Sequence, residues 1–96
     1  ATKGGAFGLV MSLANEVSAL GIRVNAISPG TVESPMLEKT KGILGNENYA
    51  NYLKNYPLGI GSPSSVVSLV EFLLDKNLSS WITGQNFVID GGYTLN

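Results

Sequence analysis

Three groups of residues in this chain have types and spacings suited to chemistry. Lys3 stands in the opening stretch ATKGGAFGLV, in the first turn of a helix-like pattern. The start of a helix carries four unpaired N–H groups and a partial positive charge, so an ammonium is disfavoured there unless it has a further role. The second group is the stretch PGTVESPM, Pro29 to Met36, which sets hydroxyls on a Pro-Gly turn just past the strand-like run IRVNAIS. Ligands of open α/β sheets bind beyond the carboxyl ends of strands, although the same residues in isolation also make an ordinary turn. Third, Tyr49, Tyr52 and Tyr56 fall at helical spacing on one face, a stripe that serves packing or recognition. The chain has no cysteine and no histidine, and its carboxylates are not clustered. Thiolate chemistry is therefore excluded, and no metal site is expected.

The totals narrow the class further. With 96 residues the chain is at most one domain; 44% are hydrophobic and only 14% charged. That balance argues against disorder and predicts apolar surface awaiting a cover. Six basic and seven acidic residues leave a net charge of −1, with no basic stripe for nucleic acid. No apolar run approaches the roughly 18 residues that cross a bilayer, and no signal peptide is visible, so the expectation is a soluble, cytoplasmic protein without a membrane partner.

Elements follow from periodicity. Ala6, Leu9, Val10, Leu13, Ala14, Val17 and Leu20 form one helical face, closed by Gly21. Small residues crowd the first half of this helix, predicting close approach by another backbone or a ligand. Ile22 to Ser28 reads as a strand, apolar on both faces, ended by Pro29-Gly30. MLEKTKGIL, stopped by Gly45, and ENYANYLKNY read as two short helices of a mobile excursion. Ser62-Pro63 opens a helix whose apolar residues (Val66, Val67, Leu69, Val70, Phe72, Leu73, Leu74) cover most of its circumference, so burial on more than one side is expected. NFVID is a second strand. Trp81, on the connection before it, is expected in the core or else near a subunit contact.

Helix, strand, excursion, helix, strand is an alternating α/β order, which implies a parallel sheet. Two strands do not complete a doubly wound sheet, which needs on the order of 200 residues. The chain therefore reads as the C-terminal part of a Rossmann-like doubly wound parallel sheet, with the N-terminal half absent. Residues 1–96 are part of a single domain, and residues 36–58 are an excursion within it.

ATKGGAFGLVMSLANEVSALGIRVNAISPGTVESPM and SSWITGQNFVIDGG closely resemble the C-terminal part of the short-chain dehydrogenase/reductase family, of the classical, 3-oxoacyl-carrier-protein-reductase-like type. The resemblance spans nearly the whole chain and is least informative around residues 37–60. It implies that Lys3 is the lysine of the family's Tyr-x-x-x-Lys pair, whose tyrosine would fall two residues before Ala1. An ammonium near a phenol lowers its pKa from about 10 toward the working range of an acid–base group. The family's lysine also holds the ribose hydroxyls of the cofactor, so Lys3 is expected to be both catalytic and cofactor-binding. Pro29-Gly30 matches the turn that lets the backbone run close to the nicotinamide. Val32 matches the position whose main chain meets the carboxamide, and Ser34 a position usually held by threonine, keeping its hydroxyl. Residues 36–58 match the substrate-covering lid. Asn25 is expected to be a hydrogen-bonded strand residue, and Asp90 to bind backbone amides around Gly91-Gly92.

The resemblance implies an NAD- or NADP-dependent oxidoreductase that transfers hydride between nicotinamide and a small carbonyl or alcohol substrate, assembled as a homo-oligomer, a dimer or tetramer. The Gly-rich phosphate turn is missing from these residues, because Leu58 and Ile60 make no strand before Gly59 and Gly61. The segment alone is therefore expected to be inactive. The rival expectation is a non-catalytic oligomerisation or assembly module derived from the same fold.

Overall fold

The computed structural model describes residues 2–95, the side chains of Thr2 and Lys3 excepted. In chain order the elements are α1 (Thr2–Val17), β1 (Ala26–Pro29), α2 (Pro35–Leu53), α3 (Pro63–Leu74), the short α4 (Lys76–Ser79) and β2 (Asn86–Ile89), with 3-10 turns at Ser18–Leu20 and Tyr93–Leu95. The two strands are neighbours in one sheet. Ala26 N–H donates to Gln85 C=O (2.8 Å) and Gly30 N–H to Ile89 C=O (2.9 Å). The constant offset is a parallel register, and the helical connection between the strands is the crossover such a register requires. The structure matches the C-terminal part of a Rossmann-like fold, as the sequence order implies.

The chain divides into two compact units, residues 1–28 with 69–87, and residues 29–68 with 88–96. In the first, α1 runs into the Ser18–Leu20 turn and stops at Gly21, whose φ of 74° suits a residue without Cβ. The inward face of α1 is rotated from the expected one. Phe7, Val10, Ala14 and Val17 are its least exposed side chains, whereas Leu9, Leu13 and Leu20 face outward. Ala14 is the anchor and lies beside Gly84, where a Cβ would make ordinary contact at 3.6 Å and where the φ of 72° calls for glycine. Gly4, Gly5 and Gly8 have open space around them, so the close approach expected for this glycine-rich half is not made within the described residues.

β1 is shorter than its β-forming run. At Val24 and Asn25 one backbone bond, from Gly84 N–H to Val24 C=O (2.7 Å), is joined by side-chain bonds in tying the chain to the 82–85 turn. Val24 N–H donates to Thr83 Oγ1 (3.1 Å), Asn25 Nδ2 to Ile82 C=O (3.1 Å), and Asn25 Oδ1 accepts from Gln85 N–H (3.0 Å). Asn25's side chain is satisfied as expected, but the residue lies just before β1 and not within a strand. The end of α3 is closed by Arg23, whose guanidinium donates to Leu73 C=O (2.8 Å), and by the fully buried Ser79 hydroxyl, which reaches the same carbonyl (3.0 Å).

Two burial expectations are corrected. Trp81 is 96% exposed, because it sits on the turn after α4 with no described residue over its ring. No residue of α3 is buried, and Val67, Val70, Phe72 and Leu74 are open. The helix has the apolar circumference of a buried element, but the described residues cover only part of it.

In the second unit the excursion is one helical element broken at Gly45 (φ 80°, ψ 167°), as expected from the glycine stop. Ser34 caps its start by accepting from Leu37 N–H (3.1 Å), and Pro35 occupies the first turn where no N–H is needed. Leu37 and Tyr56 are buried at its two ends, so this stretch supplies core as well as excursion.

Candidate functional site

The loop that leaves β1 is held from several directions within the second unit. Gly30 lies so close to the end of β2 that a Cβ on it would meet Asp90 Cβ at 2.8 Å, Asp90 Cα at 2.9 Å and Tyr56 Cε1 at 3.2 Å. Glycine is thus demanded at position 30 by the protein's own packing. Two residues on, Val32 pairs with Gly61 as an isolated parallel bridge. Gly61 N–H donates to Thr31 C=O (3.1 Å) and Glu33 N–H donates to Gly61 C=O (2.8 Å). A parallel bridge of this kind uses the peptide groups on either side of Val32. Val32's own N–H and C=O therefore face away from Gly61, and they make no hydrogen bond among the described residues. Val32 is half-buried as a residue, and the directions of these two groups are fixed by its pinned neighbours.

A cleft of about 210 Å³ adjoins this loop, lined by Thr31, Val32, Gly61, Val66, Ile89 and Asp90 among others. Gly91 also lines it, on the turn that Asp90 organises. Asp90 Oδ1 accepts from Gly92 N–H and Oδ2 from Thr94 N–H, both at 3.0 Å. Burial pushes the Asp90 carboxyl upward, but these N–H donors outweigh it and hold the group below its ordinary 3.8. Asp90 is the structural residue the sequence suggests.

Thr31 joins the loop to the far end of α2. Its hydroxyl hydrogen-bonds the Tyr56 phenol at 2.7 Å and also the Tyr52 phenol. One hydroxyl has one proton, so Thr31 donates to one phenol and accepts from the other, or accepts from both. The rings pack in series, Tyr49 to Tyr52 at 6.3 Å, Tyr52 to Tyr56 at 5.6 Å and Tyr56 to Tyr93 at 5.0 Å. Within the pair the two phenols diverge. Thr31's hydrogen bond lowers Tyr52, but the hydrogen bond to Tyr56, burial and the neighbouring phenols together raise it above 10.0. Burial raises Tyr56, yet hydrogen bonds from Thr31 and Tyr52 bring it below that value.

Pro29, Gly30, Val32 and Ser34 thus share one loop. Ser34 uses an oxygen lone pair for the α2 cap and keeps its proton to donate. Lys3 lies in α1, and its side chain is outside the described residues. Sequence reasoning passed over Thr31, although its place in PGTV and the i, i+4 spacing of Tyr52 and Tyr56 are visible signals. It also passed over Gly61 as a pairing partner, because a one-residue bridge leaves no periodic trace. No group of metal-ligating side chains is found among the described residues.

A loop pinned beyond the carboxyl end of a parallel strand places the chain among open-sheet α/β proteins. The sequence family described as enoyl-(acyl carrier protein) reductase matches residues 1–94, and the chain belongs to this family of short-chain dehydrogenases/reductases. It is 41% identical over 95 residues to the 3-oxoacyl-[acyl-carrier-protein] reductase of Chlamydia pneumoniae, covering 98% of this chain and 36% of the relative. A 4-hydroxyisoleucine dehydrogenase mutant complexed with NADH and succinate superposes with a TM-score of 0.86 at 35% identity, over 98% of this chain and 38% of that one. A short-chain dehydrogenase from Leptospira borgpetersenii with bound NAD+ does so with a TM-score of 0.77 at 39% identity, over 97% and 34%. The chain spans about a third of the length of the curated relatives it matches.

Proposed function

We propose that this chain supplies the nicotinamide-facing part of an NAD- or NADP-dependent oxidoreductase acting on a small carbonyl or alcohol substrate. The observation that carries the reading is the pair of unbonded peptide groups on Val32. A carboxamide has one carbonyl acceptor and an amide donor, the complement of an N–H and a C=O on one residue. The donor set therefore fits a nicotinamide. Relatives in complex with NADH and with NAD+ support the same cofactor class.

The bound nicotinamide would supply or accept the hydride. The chain's own residues would do the rest. Pro29 and Gly30 set the course of the loop, Val32 orients the carboxamide through its main chain, and Ser34 donates its free hydroxyl proton to the cofactor. The Lys3 ammonium would hold the ribose hydroxyls and lower the pKa of the family's tyrosine, which exchanges the substrate proton. Residues 36–58 would cover the substrate and exclude water. The complete domain would be a cytoplasmic homo-oligomer, and a polypeptide of these 96 residues alone would show no turnover.

The test is oxidation of NADH and NADPH by the protein as its own gene encodes it, against 3-oxoacyl thioesters, sugars and simple ketones. The expected result is turnover with one dinucleotide and its loss in Lys3→Met. Absence of turnover with both across the panel would overturn the reading.

A second reading, the assembly module, is favoured by the open apolar side chains of the first unit, Leu9, Leu74, Leu78 and Trp81 among them. Mass in solution that rises with concentration, without dinucleotide binding, would support it.

A further inference from the structure

The loop that presents Val32 is tied by side chains to both ends of the 35–56 segment. Ser34 caps its first turn, and Thr31 holds Tyr52 and Tyr56 at its last. We infer that Thr31 is a positioning residue, whose hydroxyl clasps the two phenols and so couples the placement of the covering segment to the orientation of Val32's peptide groups. The inference rests on the nicotinamide reading of Val32.

Packing alone does not account for the cluster. A buried aromatic stacked on Tyr93 at 5.0 Å needs no hydroxyl, and phenylalanine would fill the space. Tyr56 is buried and its ring edge lies against Gly30, so its phenol oxygen depends on a protein partner. Tyr52 supplies one such partner on the same segment, and Thr31 supplies the one that crosses to the loop, from the peptide adjoining Val32. The Thr31 carbonyl is simultaneously held by Gly61, so both its side chain and its main chain are committed. Movement of Tyr52 and Tyr56 therefore pulls on a residue whose neighbour carries the free N–H and C=O. That is how preorganised binding groups are supported by contacts behind them.

The test compares Thr31→Val, which keeps the shape and loses the hydroxyl, with Thr31→Ser, which keeps the hydroxyl, in the protein as its own gene encodes it. NADH affinity by fluorescence titration should fall about 3- to 10-fold in Thr31→Val and return to within about twofold in Thr31→Ser. Tyr56→Phe should weaken NADH to a similar degree, and the loss in the double variant T31V/Y56F should fall short of the sum of the two single losses, since the Thr31–Tyr56 bond is already broken in each. Tyr56→Phe alone carries the comparison if Thr31→Val does not fold. Unchanged affinity in a variant whose melting temperature alone has dropped would overturn the inference, as would Thr31→Ser behaving like Thr31→Val. If the wild-type protein binds neither NADH nor NADPH, the functional reading fails by itself. The clasp is then judged by amide exchange, which should quicken about 3- to 10-fold at Glu33 and across residues 47–55 in Thr31→Val. Equal exchange in both proteins would overturn it.

Discussion

Gly30 and Asp90 approach so closely that a Cβ on the glycine would stand 2.8 Å from the Cβ of the aspartate. The neighbouring atom is partly backbone, at 2.9 Å, so no flexible side chain can yield. Gly30→Ala should cost about 2–3 kcal/mol through overpacking, read as a lower urea midpoint. An unchanged midpoint would mean that the loop and the end of β2 are not packed as described.

The opposite sign is expected at Gly8. It lies inside α1 with open space where a Cβ would go. Gly8→Ala should stabilise the chain by roughly 0.5–1 kcal/mol, the helix preference of alanine over glycine. A measured loss of stability would reveal a surface packed against this face, which is the outcome the assembly reading requires.

Asp90 makes a pH-dependent contribution. Its folded-state pKa is depressed by the Gly92 and Thr94 amides, so its stabilisation is present above the ordinary 3.8 and lost as pH falls through the lower folded value. Asp90→Asn should lower stability near about pH 7, and the gap to wild type should close below about pH 3.8. Urea unfolding at several pH values measures this directly. A gap that persists at the acid end would assign the loss to shape instead of charge.

Gly45 sits at φ 80° and ψ 167°, a region that is essentially glycine's own. Gly45→Ala should cost about 1–3 kcal/mol or straighten the break in α2. Circular dichroism distinguishes the two, since straightening raises helical signal while strain lowers only the melting temperature. A variant that melts and absorbs like wild type would contradict the kink.

Legibility in the sequence followed the strength of the local signal. The Gly21 stop, the Ser62-Pro63 helix start, the break at Gly45 and the β2 run each have a local cause, and the structure has them there. Orientation was harder to read. Leu9 and Leu13 fit an apolar stripe as well as Phe7 does, and which side chains turn inward is decided by contacts distant in sequence, such as that of Ala14 with Gly84. Trp81 and the α3 face were expected to be buried from hydrophobicity alone, which records the wish for a cover and not whether these residues supply one. The resemblance singles out Pro29, Gly30, Val32 and Ser34, which the structure sets on one loop. The bridge to Gly61 and the Thr31 clasp were not legible, because each joins residues far apart in sequence that have no periodic relation.

The central claim is that Val32's main chain receives a nicotinamide, and an amide-resolved titration tests it most directly. Nitrogen-15 spectra of the protein as its own gene encodes it would be recorded as NADH is added, with NADPH in a parallel series. The account predicts saturable shifts of the Val32 amide and its loop neighbours with at least one dinucleotide. Saturable shifts elsewhere with a silent Val32 amide, or none at all, would contradict it.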